Sequence, residues 1–321
     1  MRGGCFRAGP CDRTVAGPSS RRFGGKPAQE RGSEQGLAKT VIMKLGLNTL
    51  LFTAGFDREH LPLLPQVKRW GFDGIEIARF AFDGFAAGEI GQAARDEGLE
   101  VTFCSALTGE TSLVSDDAAT RQRALDFLRQ GLDTARAIGS PVFLGPFCAP
   151  VGQLPGRRPN EAEWSWAVEG LAAVAEHAAT VGVRIANEPL NRFETYFLNT
   201  AGRAVELCEA VGSGSHGILF DTFHANIEER SLGSALRACG GHLAHVHACE
   251  NDRGAPGSGH VPWVEVFAAL KEMDYQGWVV IESFGARIPE IAAAACIWRD
   301  LAESPEALAQ EGLRFLRNGL G

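Results

Sequence analysis

The chain has 321 residues, of which 45% are hydrophobic and 22% are charged, a balance typical of a globular protein with a sizeable core. Its formal net charge of -8 argues against nucleic-acid binding as the main function, because surfaces that follow phosphates are usually basic. The sequence has no apolar run long enough for a membrane span. The eight cysteines are scattered without a CxxC pair, which favours reduced thiols in a cytoplasmic protein.

The first 42 residues differ in composition from the rest of the chain. They are rich in Gly, Arg, Pro and Ser, and they lack the apolar core of a secretory signal. Such a segment cannot bury enough apolar surface to offset the entropy of ordering it. We therefore predict a disordered tail or upstream extension over 1–42 and a single catalytic domain over 43–321.

From Met43 onward, strand-like and helix-like segments alternate. The predicted strands cover 43–50, 73–78, 99–107, 140–146, 183–189, 217–223, 243–249 and 278–283. The predicted helices cover 59–71, 85–98, 116–139, 161–182, 200–212, 231–241 and 262–277, and helical sequence follows the last strand. Eight such units in α/β alternation predict a (β/α)₈ TIM barrel.

An open, doubly wound sheet is the alternative architecture. The chain has no GxGxxG motif after the first strand, which disfavours it. The polar residues that look functional are also spread over the ends of many strands, whereas an open sheet would concentrate them at one crevice.

Four acidic or basic residues stand at the ends of consecutive predicted strands. Glu188 ends strand five, Asp221 strand six, His247 strand seven and Glu282 strand eight. In a barrel these ends meet at one mouth, where active sites lie. Three carboxylates and an imidazole facing one another would be costly to desolvate without a cation. Oxygen-rich ligands without a thiolate favour Mn²⁺ or Mg²⁺, and then Co²⁺, over a structural zinc.

Each of these residues also has a simpler interpretation. An acidic residue at a strand end is often the cap of the next helix or a surface charge. His245 and His247 lie two apart and so point the same way on a strand, and we interpret His245 as a core histidine one layer deeper. Four such residues on four consecutive strands make the metal site the better hypothesis.

The strings NEPLNRFETYF, LFDTFHANIEE, HVHACENDRGAPGSGHVPW and VVIESF contain these four residues. Together they resemble the ketose 3-epimerases, the family of D-tagatose, D-allulose (psicose) and L-ribulose 3-epimerases within the xylose-isomerase-like barrels. The resemblance runs from about Met43 to the C-terminus. It implies a metal-dependent enzyme, usually with Mn²⁺, that acts on a sugar and forms a homodimer or homotetramer.

The resemblance also implies roles for individual residues. Glu188, Asp221, His247 and Glu282 would hold the metal, and the two glutamates would also form the acid/base pair. The residues implied to contact the substrate are Glu194, His224, Arg253 and Cys104. A buried core thiol is the alternative interpretation of Cys104.

Three other functions remain open on the sequence. The first is an isomerase of the same superfamily that acts on an aldose–ketose pair, an inositol ketone or a hydroxypyruvate-like substrate. A phosphorylated sugar is a variant that the segment RGAPGSGH would suit. The second is an endonuclease IV-like DNA repair enzyme, which the acidic composition and the eight histidines disfavour. The third is a non-catalytic sugar-binding barrel, which would tolerate loss of one of the four ligands.

Overall fold

Eight parallel strands close into a barrel in chain order in the computed structural model, which describes residues 43–321. The strands are β1 (Lys44–Asn48), β2 (Gly74–Ala78), β3 (Glu100–Cys104), β4 (Val142–Gly145), β5 (Arg184–Asn187), β6 (His216–Asp221), β7 (Leu243–Ala248) and β8 (Trp278–Ile281). Pairing of β1 with β8, at Leu45↔Val279 and Leu47↔Ile281, completes the closure. The predicted (β/α)₈ barrel is confirmed, whereas the predicted tail 1–42 lies outside the described residues.

Ten α-helices accompany the strands within the described part of the chain. They are α1 (Leu64–Trp70), α2 (Ala87–Asp96), α3 (Ala118–Ile138), α4 (Glu161–Val181), α5 (Ala201–Val211), α6 (Thr222–Glu228), α7 (Leu232–Cys239), α8 (Trp263–Glu272), α9 (Pro289–Ala294) and α10 (Pro305–Leu320). Two of the predicted helix ends have the expected chemistry. Gly71 closes α1 with a φ of 101°, and the side chain of Thr200 accepts a hydrogen bond from Arg203 N at the start of α5.

The structure differs from the prediction around the sixth strand. We predicted a strand through Phe223, but β6 ends at Asp221 and the short helix α6 begins at Thr222. The cause is the side chain of Asp221, which accepts hydrogen bonds from Phe223 N (2.6 Å) and His224 N (3.3 Å) and so starts the helix. The predicted helical C-terminus is also interrupted between α9 and α10.

The alternation of side chains along each strand separates two apolar layers. On β3, Val101 and Phe103 belong to the large core cluster that includes residues of the outer helices. Cys104, Leu144 and Leu219 belong to a smaller cluster on the opposite faces of their strands, inside the barrel. A side chain on this inner face that lies closer to the carboxyl end of its strand therefore points toward the mouth of the barrel.

Among residues 43–321, no helix combines the length and apolar content that crossing a membrane requires. Six cysteines of this range are free, and Cys296 alone among those six is exposed.

Candidate metal centre and substrate cavity

Four strand-end residues converge at the carboxyl end of the barrel. Glu188 directly follows β5, Asp221 ends β6, His247 lies in β7 and Glu282 directly follows β8. One ligand atom from each lies within 4.8 Å of those of the others, and all four residues are buried. The structure thus brings together the four residues that the sequence predicted as ligands.

The imidazole of His247 turns one nitrogen toward the carboxylates. Its Nδ1 lies 3.2 Å from Glu282 Oε2, 3.8 Å from Asp221 Oδ2 and 3.9 Å from Glu188 Oε1. The four side chains therefore surround a common point with three oxygen donors and one nitrogen donor.

Two buried atoms of this group lack hydrogen-bond partners among the described residues. Glu188 Oε1 and His247 Nδ1 are both inaccessible and unpaired. An unsatisfied buried polar atom costs about 1–3 kcal/mol, and more when it is charged. A divalent cation would satisfy both atoms and offset the repulsion among the three carboxylates. The donor set therefore fits a divalent metal, and its oxygen-rich character suits Mn²⁺ or Mg²⁺.

The carboxylates affect one another's protonation strongly. Burial, together with repulsion from Glu282, raises the pKa of Glu188 well above its ordinary value. Burial also raises the pKa of Asp221 to about 6, although the positive charge of Arg253 opposes this shift. Burial disfavours the Glu282 carboxylate as well, but the charges of His247 and Arg253 outweigh it and lower the pKa of Glu282. Such opposed shifts within one cluster are typical of functional sites.

Asp221 both caps a helix and faces the cluster. Its Oδ1 accepts from the backbone at the start of α6, while its Oδ2 accepts a hydrogen bond of 2.9 Å from Arg253 Nη1. The simpler interpretation of Asp221 as a helix cap is therefore correct for one oxygen, and the second oxygen stays directed at the site.

Arg253 lies against the cluster on a loop that a buried acid organises. Glu250, which is fully buried, accepts hydrogen bonds from Trp263 Nε1 (2.6 Å) and from the backbone of Gly257 (3.0 Å) and Val261 (3.2 Å). Arg253 itself adopts a φ of 68°, in the left-handed region that is uncommon for residues other than glycine. The folded loop thereby aims the guanidinium at the strand ends.

The guanidinium of Arg253 supplies positive charge to two of the candidate ligands. Besides its bond to Asp221, Nη1 donates to Glu282 Oε2 at 3.1 Å. Its planar group also lies over the rings of Phe223 and Phe284, at 4.1 and 4.6 Å from their centroids. Arg253 is therefore held rigidly beside the cluster.

A cavity of about 420 Å³ opens beside the cluster, and Glu188, His247 and Glu282 line it. All four residues predicted to contact substrate line it: Cys104, Glu194, His224 and Arg253. The rest of its wall is mainly apolar, with side chains such as Leu50, Leu107 and Ile291. A cavity of this size with a few convergent polar groups is typical of a small-molecule site.

His224 joins the cavity wall to the cluster. Its Nδ1 accepts a hydrogen bond from Asn191 N at 3.1 Å, and its Nε2 lies 2.9 Å from Arg253 Nη2 and 3.7 Å from Glu188 Oε1. Burial and the charge of Arg253 lower the pKa of His224 well below its ordinary value. The imidazole is therefore neutral beside the cavity.

Our sequence reasoning missed two polar residues directly beneath the cluster. Glu76 and Asn48 are fully buried, and Asn48 Nδ2 donates to Glu76 Oε1 at 2.8 Å. A glutamate in the middle of the apolar strand DGIEIA is a signal that could have identified Glu76, because a buried acid requires partners. Glu250 was missed for a different reason, since its partners come from its own loop.

Comparisons with known proteins identify the family of the chain. The sequence model of the xylose isomerase-like TIM barrel family matches residues 64–319. A "Probable ketose 3-epimerase" of Synechocystis sp. is 40% identical over 86% of this chain and 96% of its own length. The D-psicose 3-epimerase of Agrobacterium fabrum is 32% identical over 87% of this chain and 100% of its own. The solved structure of an L-ribulose 3-epimerase superposes with a TM-score of 0.83 at 30% identity, covering 87% of this chain and 95% of that one.

Proposed function

Because the chain belongs to the ketose 3-epimerase family of xylose isomerase-like TIM barrels, we propose that it inverts carbon 3 of a free ketose with the help of a divalent metal. One observation carries the proposal: ligand atoms of the four strand-end residues converge within 4.8 Å, and three of these residues, Glu188, His247 and Glu282, line a cavity of sugar size. We assign Glu188, Asp221, His247 and Glu282 as the metal ligands.

The reaction requires a proton to leave carbon 3, next to the carbonyl at carbon 2. The product of this step is an enediolate, whose negative charge must be stabilised. A bound divalent metal supplies Lewis acidity for that charge. The donor set favours Mn²⁺, with Mg²⁺ and Co²⁺ as alternatives.

Two carboxylates are needed to invert the centre without turning the sugar over. Glu188 and Glu282 follow β5 and β8, and β6 and β7 lie between these strands in the barrel. One glutamate can remove the proton from one face of carbon 3 while the other returns a proton to the opposite face. Their roles exchange when the reaction runs in reverse, because the same two faces are involved.

Arg253 and His224 support the developing charge from the cavity wall. Arg253 carries a permanent positive charge beside two of the candidate ligands, and His224 is a neutral imidazole within reach of Glu188. Arg253 can donate hydrogen bonds toward sugar oxygens as negative charge builds on them, and His224 holds the guanidinium in place through its contact of 2.9 Å with Nη2. Glu194, which accepts from Asn191 Nδ2 at 2.9 Å, is suited to bind a sugar hydroxyl.

The charges around the cavity favour a neutral sugar over a phosphorylated one. Among the described residues that line it, Arg253 is the one arginine or lysine, and its guanidinium already pairs with two carboxylates. Glu194 and Glu290 add negative charge to the same wall. A phosphate would therefore meet repulsion without a free cation to offset it.

The direct test is to incubate the purified protein with Mn²⁺ and a panel of free ketoses and to separate the products by chromatography. We expect each accepted ketose to give its carbon-3 epimer and no aldose. Accumulation of an aldose would instead identify the aldose–ketose isomerase. Conversion of ketose phosphates in preference to free ketoses would contradict the proposed substrate class.

A further inference from the structure

Glu76 lies inside the barrel, one layer beneath the candidate metal centre. It is fully buried on β2, and four side chains surround its carboxylate. Asn48 Nδ2 lies 2.8 Å and His247 Nε2 2.7 Å from Oε1, while Thr102 Oγ1 and His245 Nε2 each lie 2.9 Å from Oε2. These partners come from β1, β3 and β7, so the carboxylate ties together strands on different sides of the lumen.

The contact with His247 fixes which ring nitrogen is free. The carboxylate of Glu76 can only accept, so His247 must donate its proton from Nε2. In the neutral form of the ring, which is the form that binds a metal, the lone pair lies on Nδ1, and this nitrogen faces Glu188, Asp221 and Glu282.

We propose that Glu76 is a positioning residue, which holds His247 in the orientation and tautomer that present Nδ1 to the metal. The inference rests on the proposed function, because it assumes that His247 is a metal ligand. Carboxylates that accept from a metal-bound histidine orient the ring and raise its basicity, and their loss typically weakens metal binding about 10–100-fold.

The carboxylate of Glu76 also contacts a second candidate ligand, Glu282, indirectly through the side chain of Asn48. Asn48 Nδ2, which donates to Glu76, lies 3.3 Å from Glu282 Oε1. Glu76 and Asn48 thus support His247 from one side and Glu282 from the other. The polar layer beneath the site sets the positions of two of the four ligands.

A second metal ion bound by Glu76, His245 and His247 is the rival interpretation of this cluster, since their ligand atoms also lie within 4.8 Å of one another. The hydrogen bonds of Glu76 disfavour it. Oε1 accepts from His247 Nε2 at 2.7 Å and Oε2 accepts from Thr102 Oγ1 at 2.9 Å, so each carboxylate oxygen already has a donor. The number of Mn²⁺ ions bound per chain decides between the positioning role of Glu76 and a second metal site.

The test is calorimetric titration of the metal-free protein with Mn²⁺ for two variants of Glu76. Glu76→Asp keeps a negative charge inside the barrel, so we expect the variant to fold. Its side chain is shorter and cannot reach His247. Glu76→Gln keeps the length and removes the charge. We expect one Mn²⁺ per wild-type chain and an affinity about 10–100-fold weaker in both variants.

Glu163→Gln is the matched control, because it shows whether destabilising the fold by removing a buried carboxylate is enough to weaken Mn²⁺ binding. Glu163 is also a buried carboxylate with several partners, accepting from Arg157 Nη2 at 2.7 Å and Tyr196 Oη at 2.9 Å, but it lies on α4 outside the site. We expect its variant to melt earlier and to bind Mn²⁺ with unchanged affinity.

The possible outcomes separate the inference from the proposed function. Wild-type protein that binds no Mn²⁺ would overturn the metal centre and the proposed function with it. A wild type that binds one ion, with both Glu76 variants binding as tightly, would overturn the positioning role alone. Two ions per wild-type chain, reduced to one in the Glu76 variants, would replace it with the second metal site.

Discussion

Replacing Glu188 with glutamine is expected to abolish epimerisation while the barrel stays folded. An amide cannot accept the proton that leaves carbon 3, and loss of a general base typically costs about 10²–10⁴-fold in rate. Glu188 Oε1 makes no hydrogen bond among the described residues, and its charge faces those of Asp221 and Glu282. In the metal-free protein the neutral variant therefore loses no buried partner, so we expect the melting temperature measured without metal to be retained or raised.

The measurement is kcat at saturating ketose, with the metal content of the same sample determined alongside. A variant that keeps its metal and cannot turn over identifies Glu188 as a proton carrier as well as a ligand. Glu163→Gln is the matched control, because it makes the same change at a buried carboxylate on α4 that does not line the cavity, and it should keep its activity. Normal turnover by metal-loaded Glu188→Gln would remove Glu188 from the acid/base pair.

The companion variant Glu282→Gln should also lose turnover, but with a different effect on stability. Glu282 lies 3.1 Å from Arg253 Nη1 and 3.2 Å from His247 Nδ1, so its charge compensates two buried partners. Its removal leaves those charges less compensated, which is destabilising in a buried pair. We expect the melting temperature to fall for Glu282→Gln relative to Glu188→Gln.

Asp221→Asn is expected to weaken Mn²⁺ binding by orders of magnitude, because a neutral amide is a far poorer ligand than a carboxylate for a hard cation. The substitution also separates the two roles of this residue. Asparagine is as good a helix cap as aspartate, so its amide oxygen can keep the hydrogen bond to Phe223 N that starts α6. Folding should therefore survive the change.

Equilibrium dialysis against Mn²⁺, followed by measurement of bound metal, checks this expectation. Circular dichroism of the same sample confirms that the barrel is intact. If dialysed Asp221→Asn protein retains stoichiometric Mn²⁺, then Asp221 is only a helix cap and the four-ligand assignment is wrong.

The sequence predicts the barrel well because its strands are short apolar runs. A helix follows each strand, and residues with known capping preferences mark where several of these helices begin or end. The glycine at the end of α1 and the threonine at the start of α5 are local signals, read within a few residues. The boundary of β6 was wrong by two residues because a side chain decides it. The carboxylate of Asp221 turns the backbone into α6, and no apolar pattern records such a hydrogen bond.

Part of the site was predictable because the positions of its residues follow from the barrel itself. Four ligand candidates stand at strand ends, and barrel topology alone brings strand ends together. The sequence could have marked Glu76 as a buried acid, but it could not assign the role of Glu76, because that role depends on His247, which lies 171 positions away along the chain. Only the closed barrel brings β2 opposite β7, and so reveals that the acid in the apolar strand supports a histidine at the mouth.

The measurement that tests the central claim most directly is turnover of an accepted ketose in D₂O with Mn²⁺, with deuterium located in the product by nuclear magnetic resonance. If Glu188 and Glu282 act on opposite faces of carbon 3, the product ketose should carry deuterium at carbon 3 and no aldose should form. Deuterium at carbon 1, together with an aldose product, would contradict the proposal and identify the enzyme as an aldose–ketose isomerase.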